Sequence, residues 1–292
     1  MSLFGTDGIR GLANVDLTAE LALDVAVAAA HILVENSNER PRAIVGQDSR
    51  ASGEFLEAAV VAGLTSAGVD VYRVGVVPTP AVAYLVASTG ADLGVMISAS
   101  HNPMPDNGIK LFQRGGEKLA DEVEALVEAR IGEPWQRPTG AAVGRVISDD
   151  QLVNKYIEHL LSTIDVSLSG LKVVVDCANG ASSFTAPVAL SRAGAEVIAI
   201  ANTPDGWNIN DGVGSTHLDF LRNAVLKNGA NVGIAHDGDA DRCLAIDATG
   251  AEIDGDVIMT ILAKGFKAQG KLKANTIVGT VMSNLGFMHA MA

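Results

Sequence analysis

Two loops in the sequence gather residues that could do chemistry together. In the first, VMISASHNPMPDNGIKLF at 95–112, an apolar run stops at Ser98-Ala99-Ser100-His101-Asn102-Pro103 and resumes at Ile109. Short polar residues and prolines leave a strand because they bond their own backbone or lack an N–H. The pattern therefore predicts strand, exposed turn, strand. Its turn offers a hydroxyl, an imidazole, an amide and an ammonium, from Ser100, His101, Asn102 and Lys110. Alone, a serine in such a turn is more often a turn residue than a nucleophile. The second loop, IAHDGDADRCLAI at 234–246, alternates Asp237, Asp239 and Asp241. Folded back on itself, it can aim three carboxylates at one point, where each pair at ~4–6 Å repels by about 3–4 kcal/mol at an effective dielectric of about 20. Such a cluster holds a cation or splays into water as an acidic turn. Carboxylate oxygens suit Mg²⁺ or Ca²⁺. An EF-hand register is excluded, because the required glycine at its sixth position would be Arg242 and the glutamate at its twelfth Ala248. The spacing fits Mg²⁺ better.

The elements that must carry these loops read as tandem α/β units. FGTDGIRG at 4–11 sets glycines around Asp7 and Arg10, a tight turn that could present Arg10 to an anion. A helix over 19–35 follows, capped by Thr18, then a strand over 42–46 and a helix over 53–66 capped by Ser52. Arg50 is thus expected beside a helix N-terminus, a natural anion site. A strand over 69–74, a turn with Pro78 and Pro80, a helix over 81–88 and the strand into Ser100 complete the unit. Beyond it come a helix over 121–131 and an exposed linker. From residue 171 the order repeats: strand 172–176, helix 183–192, strand 196–201, helix 217–227 and strand 231–235, leading into Asp237. The two loops therefore occupy equivalent positions in a duplicated unit, and a cleft between the units could bring the serine to the metal. A third copy begins with a helix over 256–267 and a strand over 276–281. It lacks its further strands, so the chain reads as a fragment. GFKAQGKL at 265–272 fails as a P-loop because Leu272 stands where a hydroxyl is needed. DGVGSTH at 211–217 has two glycines and no preceding strand, so it fails as a dinucleotide fingerprint. His236 reads as a neighbour of the aspartates, not a ligand.

Composition bounds the partners. With 292 residues, 48% hydrophobic and 19% charged, the chain can form two or more cores. A net charge of −13 argues against nucleic acid or an anionic membrane as partner. An anionic substrate would then need local basic groups or a metal. Cys177 and Cys243 lie in apolar runs and read as buried thiols of a reducing compartment. The N-terminus lacks a signal-peptide pattern, and the most apolar early stretch, 21–34, is too short to span a bilayer. A cytoplasmic location is expected.

Taken together, FGTDGIRG, GQDSRASG (46–53), ISASHNPMPDNGIK (97–110), DCANGA (176–181), INDGVGSTH (209–217) and DGDADR (237–242) closely resemble the motifs of the α-D-phosphohexomutase superfamily, in their order and over nearly the whole chain. The opening motif and the SASHNP serine loop look most like the members acting on glucosamine phosphates. The resemblance implies domains over 1–150 (phosphoserine loop), 151–250 (metal loop) and 251–292 (the start of a third), each of mixed sheets sandwiched by helices. It implies a phosphoserine at Ser100 and one Mg²⁺ on Asp237, Asp239, Asp241 and the Ser100 phosphate. Lys110 would transfer protons, with a pKa lowered by neighbouring cations. Arg10, His101, Arg50, Asn102 and Arg242 would help to hold phosphoryl groups. The implied reaction interconverts glucosamine 6-phosphate and glucosamine 1-phosphate through a bisphosphate, feeding cell-wall precursors. The substrate is a phosphosugar, and a homodimer is left open. The family's E-x-S-G sugar loop and R-x-S-G-T phosphate loop do not occur here, so little turnover is expected from these residues alone. The rival readings are a phosphomannomutase or phosphoglucomutase, or a non-catalytic metal- or phosphate-binding module.

Overall fold

Runs of Val, Ile and Leu become strands of two mixed sheets in the computed structural model, which describes residues 3–34, 40–149 and 151–291. The first unit contains β1 (Ile9–Leu12), α1 (Ala19–Leu33), β2 (Arg42–Gln47), α2 (Ser52–Ser66), β3 (Asp70–Val76), α3 (Thr79–Thr89), β4 (Leu93–Ile97), β5 (Asp106–Gln113), α4 (Asp121–Arg130) and β6 (Val146–Ser148). Its strand order is β1-β5-β4-β2-β3-β6. The second unit contains α5 (Gln151–Ser162), β7 (Lys172–Asp176), α6 (Thr185–Arg192), β8 (Glu196–Ile200), α7 (Leu218–Asn228), β9 (Val232–His236), β10 (Cys243–Asp247) and β11 (Glu252–Ile253), with strand order β11-β10-β9-β7-β8. The inner order β5-β4-β2-β3 repeats as β10-β9-β7-β8, and β5 and β10 run antiparallel to both of their neighbours. The tandem register expected from the sequence is therefore present.

Strand pleating explains how each sheet is covered. Successive side chains point to opposite faces. Ala43, Val45, Leu93, Val95 and Ile97 meet α1, α2 and α4, whereas Ile44 and Met96 meet α3 on the other face. Every residue of β4 is buried, and each such Val, Leu or Ile contributes about 1.5–3 kcal/mol by leaving water. Thr18 caps α1 by accepting from Leu21 N–H at 3.2 Å. Gly90 and Gly229 end α3 and α7 in the left-handed conformation, which a residue without Cβ adopts most easily. Tyr156 of α5 joins Val82, Leu85 and Val86 of α3 and Ala181 of the second unit in one core, so α5 packs across the two units.

Several expectations need correction. The expected helix end at Glu35 lies outside the described residues, as do Met1, Asp150 and Ala292 of the expected domain limits. FGTDGIRG is not only a turn, since Ile9, Arg10 and Gly11 pair with β5. Between the expected linker and residue 171, where the sequence pattern names no element, lie β6 and α5. Ser52 does not cap α2; its hydroxyl accepts from Asn107 Nδ2 at 2.9 Å. No strand forms over 276–281: Val278 and Val281 are exposed, and α8 (Gly255–Ala268) is followed by turns and α9 (Leu285–Met291). A strand without a neighbour leaves its backbone groups unpaired. Cys177 is buried but Cys243 is exposed.

Candidate active site

Both functional loops leave the carboxyl ends of parallel strands, β4 and β9, where open α/β sheets place their sites. Ser100 takes a left-handed backbone conformation, with φ of 54°. For a residue with a Cβ this costs about 1–2 kcal/mol, so neighbours must hold it. Ser98 Oγ accepts from Ser100 N–H at 2.9 Å and donates to Asp48 Oδ2 at 2.6 Å. Asn210 of the second unit donates its amide to the Ser100 carbonyl at 2.9 Å and to that of Asn102 at 3.2 Å. Gly238 faces the same carbonyl, and a Cβ there would stand 2.5 Å from the Ser100 oxygen.

Arg50 departs from its expected role. Its guanidinium donates to Asp48 Oδ2 at 3.0 Å and to the carbonyls of Pro103 at 2.6 Å, Ser100 at 3.0 Å and Asn102 at 2.8 Å. The side chain is wholly buried and faces the back of the loop. It is a staple for the Ser100 turn, not an anion site. Asn102 belongs to the same framework, its amide donating to Asp106 at 2.9 Å.

The two units meet at the aspartates. Ser100 Oγ donates to Asp237 Oδ2 at 2.6 Å. Carboxylate oxygens of Asp237, Asp239 and Asp241 lie within 4.8 Å of one another. Burial, then Asp239, push Asp237 up to about 6, as expected for anions crowded out of water. Asp239 is fully buried, and its Oδ2 accepts from Thr79 Oγ1 at 2.5 Å and Lys110 Nζ at 2.6 Å. Its other oxygen, Oδ1, is buried without a hydrogen-bond partner among the described residues. Three hard oxygen donors with a bare buried lone pair fit a divalent cation of the Mg²⁺ kind.

Lys110 reverses one expectation. Burial works against its charge, yet Asp239, Asp7 and Asp241 outweigh it and raise its pKa. The contacts are 2.9 Å to Asp7 and 3.4 Å to Asp241, besides Asp239. The shift runs opposite to the lowered pKa expected from neighbouring cations. Asp7, which the sequence reading did not place in the site, also pairs with Arg10 and with Lys118 at 3.2 Å. Burial opposes its charge, but Lys110 and Lys118 prevail and bring it to about 2. Arg10 Nε and His101 Nδ1 are buried without partners among the described residues. Burial, Arg242 and Arg10 lower the pKa of His101, and Arg242 lies 3.9 Å from both Asp237 and Asp241. Ser100, His101, Lys110, Arg10, Arg242 and the three aspartates are thus drawn together, with Arg50 and Asn102 behind them. Thr79 and Asn210 were missed. The Pro-Thr-Pro run that opens α3 and the INDGVGSTH motif were their visible signals.

Among the described residues, no helix is long and apolar enough to cross a membrane. Family models of phosphoglucomutase/phosphomannomutase α/β/α domains match in succession, domain I over residues 1–137, domain II over 154–250 and domain III over 254–292. The chain is 63% identical to a phosphoglucosamine mutase of Streptomyces griseus over 99% of its length and 66% of that protein. It is 64% identical to one of Saccharopolyspora erythraea, over 99% of its length and 65% of that protein. It therefore spans just under two thirds of these curated relatives. A solved phosphoglucomutase/phosphomannomutase family protein from Burkholderia thailandensis superposes with a TM-score of 0.77 at 27% identity, over 92% of this chain and 59% of that one.

Proposed function

The chain belongs to the phosphoglucomutase/phosphomannomutase family, and from that premise we propose that it carries the phosphoserine and metal sites of a phosphosugar mutase. The proposed reaction interconverts glucosamine 6-phosphate and glucosamine 1-phosphate through a bisphosphate, in keeping with the name of its curated relatives. The observation that carries this reading is the 2.6 Å hydrogen bond from Ser100 Oγ to Asp237 at the aspartate trio. The same reading takes 1–150 and 151–250 as the serine and metal domains and 251–292 as the start of a third, in a cytoplasmic enzyme.

Asp237, Asp239 and Asp241 would hold one Mg²⁺, with the Ser100 phosphate as a further ligand. When bound, the ion offsets repulsion between carboxylates and phosphate and stabilises charge on the moving group. The chain's own residues do the rest. In each transfer the P–O bond to Ser100 breaks and one to a sugar hydroxyl forms. That hydroxyl loses its proton, and the seryl oxygen gains one. Lys110, its pKa raised by its carboxylates, is suited to pass a proton to the seryl oxygen and to take up the one that the sugar hydroxyl releases, so that it ends each transfer as it began. Arg10, His101 and Arg242 lie near one another, and Arg10 Nε, without a partner among the described residues, is suited to bind an anion. The Asp48–Arg50–Ser98 framework keeps Ser100 in its left-handed turn.

The reading predicts that incubation with glucosamine 1,6-bisphosphate adds one phosphate to the chain. Intact-mass analysis followed by peptide mapping should find it on Ser100. A phosphate on another residue would count against the assignment.

A further inference from the structure

The aspartate trio belongs to the second unit, yet one of its three carboxylates is fixed from the first. Thr79 opens α3 and is 8% exposed. Its hydroxyl donates to Asp239 Oδ2 at 2.5 Å, and its backbone N–H donates to the Asp239 carbonyl at 2.9 Å. Lys110, also from the first unit, takes the same Oδ2. Both donors thus fall on one oxygen, and Oδ1 is left bare in a residue with no exposed surface. A carboxylate gripped on one oxygen cannot turn, so the orientation of the other is set before any cation arrives.

We propose that Thr79 is a positioning residue for the metal, holding Asp239 so that Oδ1 faces the ion. The inference rests on the metal reading above. It adds that the affinity of the second unit for Mg²⁺ depends on a hydroxyl supplied by the first. Removal of a group that orients a metal ligand typically lowers metal affinity about 10–100-fold.

Isothermal titration of the 292-residue chain with MgCl₂ tests it. Thr79→Val keeps the branched shape and the backbone N–H and loses only the hydroxyl. It should weaken Mg²⁺ binding by about tenfold or more, and Thr79→Ser should restore most of the loss. Ser49→Ala is the control for unit docking, because Ser49 Oγ donates to the Asn179 carbonyl at 2.5 Å, outside the trio. It should leave Mg²⁺ affinity within about twofold, inside the usual spread for a contact that does not touch the ligands. Thr79→Val binding within twofold of the wild type overturns the inference. An equal loss in Ser49→Ala and Thr79→Val also overturns it, since the effect would then be docking alone. If Thr79→Val does not fold, Thr79→Ala takes its place, with the same two outcomes. A wild-type chain that binds no Mg²⁺ would overturn the metal reading itself, and this inference with it.

Discussion

On the proposed function, replacing Ser100 with alanine is expected to lower mutase turnover by at least about 10³-fold, the scale of losing a covalent nucleophile. Two other hydroxyls of the first unit near the site are already engaged. Ser98 Oγ is committed to Asp48 and to Ser100 N–H, and Thr79 Oγ1 is committed to Asp239. The backbone should tolerate the change, because the carbonyl of residue 100 is gripped by Arg50 and Asn210 whatever the side chain. A coupled assay from glucosamine 6-phosphate reads the effect, and circular dichroism checks the fold. More than a tenth of wild-type turnover in a folded Ser100→Ala variant would rule Ser100 out as the phosphoryl carrier.

The second large effect falls on stability. Arg50→Met should cost about 3–5 kcal/mol, the usual penalty for removing one partner of a buried ion pair. Among the described residues, Asp48 would be left in the interior with the Ser98 hydroxyl and the backbone N–H of residue 50 to answer its charge. Burial pushes the Asp48 carboxyl above its ordinary range even with Arg50 opposing the shift. Without the guanidinium it should rise further. The sign follows. A carboxyl whose folded pKa exceeds its unfolded one favours the folded state at low pH and loses that advantage as pH rises through the folded value. The variant's deficit should therefore shrink in acid and be largest at neutral and alkaline pH. Urea denaturation at two pH values measures it. A change below about 1 kcal/mol, the range of ordinary surface substitutions, would mean the pair is not the keystone of the turn. Adding Asp48→Asn should recover part of the loss, since it removes the stranded charge.

What could be read from the sequence was whatever local pattern determines. The strand–loop–strand passages around Ser100 and Asp237, the Thr18 cap and the repeated unit order all follow from short-range periodicity and turn chemistry. The residues misread there depend on distant neighbours. Arg50 looked free because its four acceptors come from Asp48 and from a loop fifty or more residues away. The pKa of Lys110 is raised by Asp7 and by two aspartates on another unit, partners that the expectation of a cation-rich site did not include. β6 is three residues long with no buried member, too short to carry a periodic signal. The run at 276–281 fails in the opposite way: its β-branched pattern is real, but among the described residues no adjoining strand receives its hydrogen bonds.

The amides of Ala51 and Thr79 reach across to the carbonyls of Gly206 and Asp239, so each is closed off by the opposite unit. Such an N–H can trade its proton for deuterium only when the units separate, which makes the two amides reporters of that opening. Linkage is reciprocal: whatever the docked first unit adds to the hold on an ion, the ion adds to the docking. Mg²⁺ should therefore slow deuterium uptake at Ala51 and Thr79 while leaving the interior of α1 nearly unchanged. Uptake at these two positions that ignores the metal would mean that the units part and rejoin without regard to it.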